Sequence, residues 1–321
     1  NAVPPVVASM VVFCDPVGSG GLVGADFAEV VAGLVGQDYE SLQYLFFLVG
    51  PDDEVRHAYE SHIAQHLPLA AVRKVEGNPG YGPTQNAAAR LVEGDNGLFL
   101  FLHDDVCLAS NAVSELVTEL SRSNAAVVGP KLVQWDDPSL LQHVGMGVDR
   151  CGEIDPIVLP GEKDQQQHDA VADVFCLPSA CLLVRSDLFR TLGGFHPGIT
   201  FGGEEMDLCW RVHLTGGRVV VVPSAVARHR ENFTSRQPLI ELTTMSETHR
   251  VATVLSCTSS ARLLPVFFQM LGLSLLELPV AIATGKWKQG IAALRATCGG
   301  VLQFGSIAKR RRAVQQSRLV N

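Results

Sequence analysis

The chain has 321 residues, 47% of them hydrophobic and 18% charged, with a mean hydropathy of +0.19. That is enough for one large domain or one domain with an appendage, and the apolar content is high for a freely soluble protein. The net charge of −8 argues against a nucleic-acid binder, but it hides an asymmetry: residues 262–321 carry nine Lys/Arg against one acid, Glu277, and the remainder carries 16 basic and 32 acidic residues.

In chain order, Val6–Phe13 is predicted as a first strand, followed by a Gly-rich loop (Gly18–Gly24) and a helix around Asp26–Val35. Leu42–Val49 is a second apolar strand, Asp52–His66 a polar-faced helix, Leu69–Val75 a third strand and Thr84–Val92 another helix. Leu98–Leu102 is a buried strand, with Ala125–Val128, Ala180–Val184 and Arg218–Val222 as later strands. Strands alternating with helices imply βαβ units and a mostly parallel sheet. Gln134–Gln167 is loop-rich and polar, a candidate lid or acceptor-side insertion. The eight cysteines lack any Cys-x-x-Cys pairing and sit mostly in apolar runs, which predicts reduced, buried thiols in a cytoplasmic protein. The start of the chain has neither the charge nor the apolar core of a signal peptide.

The strand at Leu98–Leu102 runs into His103 and two adjacent acids, Asp104 and Asp105. Ligands of a parallel sheet lie beyond the carboxyl ends of its strands. Adjacent carboxylates there repel unless a cation or proton neutralises them, and oxygen ligands suit Mg²⁺ or Mn²⁺. A strand-terminating turn explains the same residues without a metal. Gly18-Ser-Gly-Gly-Leu-Val-Gly24 lacks the dinucleotide-binding spacing, and no acid ends the second strand at Val49-Gly50, so it reads as a flexible loop. Asn78-Pro-Gly-Tyr-Gly-Pro-Thr-Gln-Asn86 opens a helix whose N–H groups suit an anion or a base edge, although in isolation an ordinary strand-to-helix turn is the better reading. Glu204, Glu205 and Asp207 crowd a helix start, where capping needs one acid and leaves another to remove a proton. His229, between Arg228 and Arg230, is either a neutral metal ligand or part of a solvated basic turn.

The order of motifs runs from Gln37-Asp-Tyr39 through the Asn78–Asn86 segment and His103-Asp-Asp105 to Leu182-Leu-Val-Arg185. It continues with Leu192-Gly-Gly-Phe195, Glu204-Glu-Met-Asp-Leu-Cys-Trp-Arg211 and Val222-Pro-Ser-Ala-Val, ending at His229. Over residues 6–236 this resembles the family 2 inverting glycosyltransferases, and most of all the bacterial cell-envelope rhamnosyl- and galactofuranosyltransferases. The resemblance implies a GT-A fold over residues 1–236, a mixed sheet with a Rossmann-like nucleotide half, and a helical, membrane-associating extension over 237–321. It implies Mg²⁺ or Mn²⁺ on Asp105, with His103 in place of the usual first acid and His229 completing the site. Glu205 falls at the catalytic base, flanked by Glu204 and Asp207. Cys14, Asp15, Asp52, Gly80, Asn86 and Asp104 fall on the nucleotide side, and Trp210, Gly194 and Phe195 on the acceptor side. The partners implied are a UDP- or dTDP-sugar, a glycan or polyprenyl-linked acceptor, the cytoplasmic face of the plasma membrane, and a second copy of the chain. A nucleotide-dependent dehydrogenase or an inactive sugar-binding module are the other classes, the second because His103 and Glu205 depart from the usual pattern.

Leu263–Thr284 is long enough to span a membrane, for which ~20 residues suffice. Pro265 and Pro279 predict a shorter bracketed helix, and Glu277 is costly at depth. Lys286-Trp-Lys288 and Lys309-Arg-Arg-Arg312 add interfacial basic clusters, which favours helices lying in the membrane plane. A helical hairpin packed on the body or on another copy is the other account.

Overall fold

The computed structural model describes residues 3–14, 22–231, 239–302 and 304–320. Asp15, most of the Gly-rich loop and the expected 236/237 boundary lie outside them. Twelve strands are described: β1 (Val6–Phe13), β2 (Leu42–Val49), β3 (Ala71–Val75), β4 (Leu98–His103), β5 (Val106–Leu108), β6 (Val127–Gln134), β7 (Leu141–His143), β8 (Met146–Val148), β9 (Ile154–Pro156), β10 (Ala172–Asp173), β11 (Cys181–Arg185) and β12 (Val219–His229). The main sheet runs β10-β12-β6-β11-β4-β1-β2-β3, with β5 on β12 and β7 on β6. β4, β1, β2 and β3 are parallel, forming a Rossmann-like half. β11 runs antiparallel to both β4 and β6, which makes the sheet mixed.

Residue alternation explains how the sheet is covered. In β4, Leu98, Leu100 and Leu102 face one core while Phe99 and Phe101 face the other. Period-two strands buried on both faces read as continuous apolar runs, which is why β1 and β2 match their predicted limits. Helices α1 (Ala25–Val35), α2 (Asp53–His66) and α4 (Ala112–Ser123) fill the first face. Helices α3 (Tyr81–Leu91), α5 (Ser186–Thr191) and α6 (Glu204–Leu214) cover the second. The chain then continues in α7 (Leu239–Cys257), α8 (Leu263–Ala283), α9 (Trp287–Leu302) and α10 (Phe304–Gln316). Their shared core contains Val254, Met270 and Ile307, and it also takes in Cys151 and packs against Trp210 of the body.

Three expectations change. The strand expected to end at Val222 runs on through Pro223 and Ser224 as β12, where the pairing with β6 slips between Val222 and Val226, a bulge that lets it continue to His229. Residues 134–167 are pinned, not a free lid: buried Lys131 reaches Asp164 and Asp169, each at 2.7 Å, and β8 pairs with β9. The prolines do not bracket α8, because Pro265 sits in the first turn, where no N–H is needed, and Pro279 is accommodated within the helix. Among the described residues all eight cysteines are free and six are buried.

Candidate active site

At the carboxyl edge of the sheet a cavity of about 270 Å³ gathers segments distant in sequence. β4 delivers His103, and the turn into β5 carries Asp104 and Asp105. The Asp104 carboxylate accepts the Phe13 N–H at 2.8 Å, joining the ends of β4 and β1. β12 sets His229 beside this turn, with Nε2 3.4 Å from Asp105 Oδ1, while His103 Nδ1 lies 3.9 Å from the same oxygen. Gln142 Oε1 stands 3.0 Å from His229 Nδ1. That contact favours the tautomer with its proton on Nδ1, leaving the Nε2 lone pair toward Asp105. The ligand atoms of His103, Asp105 and His229 lie within 4.8 Å of one another. Two imidazoles and one carboxylate, two of the three residues buried, fit a divalent metal that accepts nitrogen, Mn²⁺ better than Ca²⁺.

The other wall is the start of α6. Gly202 and Gly203 take φ of +72° and +93°, a left-handed path that favours glycine and turns the chain abruptly into the helix. From α7, His249 Nδ1 holds the carbonyls of Phe201 and Gly202 at 3.0 and 2.9 Å. The next two residues, Glu204 and Glu205, line the cavity. Neither Oε2 atom has a hydrogen-bond partner among the described residues. Burial and the neighbouring Glu205 push the Glu204 carboxyl up to about 8. Burial also raises that of Glu205, opposed by backbone N–H groups and by His143.

Asp207 has a different situation one turn on. Burial would raise its carboxyl, but Arg211, donating at 2.6 and 3.0 Å, and Arg310 outweigh burial and hold it well below the carboxylate range. Being paired twice and absent from the cavity wall, Asp207 is not placed to take a proton from a ligand.

The remaining predicted residues lie apart from the cavity. Cys14 is fully buried, its N–H on the Val49 carbonyl at 2.8 Å. Asp52 caps α2 through the N–H groups of Glu54 and Val55. Gly80 allows the start of α3 to approach Thr200, whose carbonyl oxygen would lie 2.6 Å from an added Cβ. Asn86 clasps the backbone of Phe195, donating to its carbonyl and accepting its N–H, both at 2.8 Å. This clasp fixes the Gly194-Phe195 turn, and the Phe195 ring is buried against Phe101 and Phe189. Trp210 meets Phe175 edge-on at 5.4 Å and packs toward the C-terminal helices. The sequence missed Tyr81, Ser179, Phe201 and Glu231, which also line the cavity. Only Tyr81 carried a signal, from its place in the Asn78–Asn86 segment.

The profile described as Glycosyl transferase family 2 matches residues 24–193. The O-antigen biosynthesis protein RfbC of Myxococcus xanthus is 27% identical over 170 residues, 50% of this chain and 13% of that protein. The pre-mycofactocin glycosyltransferase of Mycobacterium tuberculosis is 30% identical over 132 residues, 40% of this chain and 26% of its own length. The matched region thus spans well under two thirds of either relative. Among solved structures, GalNAc-T7 with UDP, GalNAc and Mn²⁺ superposes with a TM-score of 0.65 at 15% identity, covering 90% of this chain and 55% of that one. The mannosyltransferase PcManGT of Pyrobaculum calidifontis, with GDP-Man and Mn²⁺, gives 0.57 at 14% identity over 98% of this chain and 86% of that one. These likenesses favour a transferase over a dehydrogenase: the fold is of GT-A type, and the chain belongs to glycosyl transferase family 2.

Proposed function

We propose that the protein moves a sugar from a nucleoside-diphosphate sugar to an acceptor hydroxyl, inverting the anomeric centre. The observation that carries this is the cavity itself, with His103, Asp105 and His229 on one wall and the Glu205 carboxylate, one oxygen without a partner, on the other. His103, Asp105 and His229 would hold Mg²⁺ or Mn²⁺, which when bound neutralises charge on the departing diphosphate. Glu205 takes the acceptor proton as the acceptor oxygen bonds to the anomeric carbon and the bond to the diphosphate breaks. Burial and the neighbouring Glu205 raise the Glu204 carboxyl to about 8, which favours its protonated form near neutral pH.

UDP-, dTDP- and GDP-linked sugars are the donor classes to test, the first and last because the structural neighbours hold UDP and GDP-Man. A cell-envelope glycan or polyprenyl-linked acceptor is supported by the O-antigen relative. Docking on the cytoplasmic face of the membrane is supported by α8, the one helix among the described residues long and apolar enough to cross a bilayer. Leu264, Phe268, Leu275 and Ile282 form an exposed stripe opposite buried Val266, Met270 and Ser274. Lys286, Trp287 and Lys288 follow. Because Arg310 of α10 reaches Asp207 in the body, the chain returns after α8, and an in-plane helix fits better than a span.

Calorimetry with each nucleotide sugar, with Mn²⁺ and with EDTA, tests the donor site. Divalent cation should tighten binding in the parent protein and not in Asp105→Ala. Equal affinity under both conditions in the parent would sink the metal-assisted reading.

A further inference from the structure

A second cavity, of about 460 Å³, adjoins the first, and His229 and Glu231 line both. Its volume falls in the range of small-ligand sites, ~300–1,000 Å³. The rest of its wall comes largely from the end of β6 and the segment that follows it, which bring Gln134 and His143 together with apolar Pro156, Leu159 and Pro160. Trp135 forms another part of the wall, its ring covered by Arg228 and Arg230 at 4.8 and 5.4 Å. Leu159 is 67% exposed. The segment is held in place by the Lys131 ion pairs with Asp164 and Asp169.

His143 connects this cavity to the chemistry. Its Nε2 is 3.7 Å from Glu231, and its ring lies near enough to Glu205 to favour the ionised carboxylate. Trp210, Gly194 and Phe195, expected on the acceptor side, line neither cavity, so recognition of an acceptor needs another wall.

We infer that this second cavity is the acceptor subsite and that it receives a sugar ring, with Gln134 and His143 meeting hydroxyls and Leu159, Pro156 and Pro160 meeting the C–H face. The inference rests on Glu205 being the base: this cavity and the one that Glu205 lines share His229 and Glu231, so an acceptor seated here adjoins the Glu205 wall. An apolar wall with a few convergent polar groups is the composition such a ligand requires.

The test is saturation-transfer NMR with a panel of methyl hexosides on the full chain loaded with UDP and Mn²⁺. At least one hexoside should bind, roughly tenfold more weakly to Gln134→Ala, as loss of one or two hydrogen bonds predicts. Leu159→Trp, which fills the cavity from its exposed side, should abolish the signal, and calorimetric UDP affinity should stay within twofold in both variants. Binding unchanged by both substitutions, hexosides displaced by UDP, or no hexoside binding to the parent would each overturn the assignment. Glu205→Gln separates the two claims. If it turns over like the parent while Leu159-dependent hexoside binding persists, the base is misassigned and the subsite stands.

Discussion

Glu204 and Glu205 are neighbours in sequence, but their surroundings separate them. Glu205→Gln keeps the shape and removes the basicity, so turnover should drop by roughly 10²–10⁴ with little change in donor affinity; turnover within a fewfold of the parent would exclude it. Glu204 makes a prediction about stability. Raised to about 8 from 4.5, its carboxyl keeps a proton in the folded state that the unfolded chain gives up. Its favourable contribution is therefore complete below about pH 4.5 and is lost as the pH climbs toward 8. Thermal midpoints of the parent and Glu204→Gln should nearly coincide at about pH 5, with the variant higher at about pH 8.5. A constant offset at both values would contradict this. The convergence of His103, Asp105 and His229 was legible through the resemblance in motif order, since acids ending an apolar strand read as a turn as well as a metal site. Asn86 was not legible as scaffold, since its partner is the backbone of Phe195 and backbone partners leave no mark in a side-chain pattern.

At the level of elements, apolar runs located β1, β2 and β4, whereas α4 went unpredicted and β12 was cut short at Pro223. A bulge inside a strand and a turn between strands use the same residues, and only pairing with β6 and β5 tells them apart. The contact of greatest consequence joins α6 to α10. Asp207 is fully buried between Arg211 and Arg310, and Arg310 also donates to Thr253 of α7 at 2.9 Å. Removing one partner of a buried pair leaves a charge uncompensated, at about 3–5 kcal/mol. Arg310→Met, which leaves Asp207 with Arg211 alone, should lower the denaturant midpoint, and Asp207→Asn, which strips both buried guanidiniums of their carboxylate, should lower it further. Equal stability of parent and single variant would show that Arg211 alone suffices.

For the molecule as a whole, the positive excess of residues 262–321 divides between inward and outward uses. Arg310 and Arg311 are bound to the body and to α7, while Lys286, Lys288, Lys309 and Arg312 are exposed. Deleting the segment would remove Arg310 along with α8, so point substitution is the cleaner test of membrane docking. Phe268→Glu with Leu275→Glu should prevent sedimentation with anionic liposomes while donor binding persists. Parent protein that ignores such liposomes at low salt would leave a contact between copies as the better account of the apolar stripe. The body's acidity and the tail's basicity were plain in the sequence, but which arginines turn inward depends on packing.

The route by which His229 arrives also has a consequence for how the protein is made. His103 and Asp105 lie at the end of a central strand, whereas His229 ends the last strand to join, after the chain has left the sheet for α6 and returned through a bulge. A nascent chain that has not yet docked β12 therefore offers two of the three donors. Ligands that bind only the finished fold stabilise it by mass action, so a cation held by all three would act late in folding, as a latch on a sheet whose final strand is already seated. Refolding should then begin at a rate indifferent to Mn²⁺, with the cation slowing the reverse reaction instead.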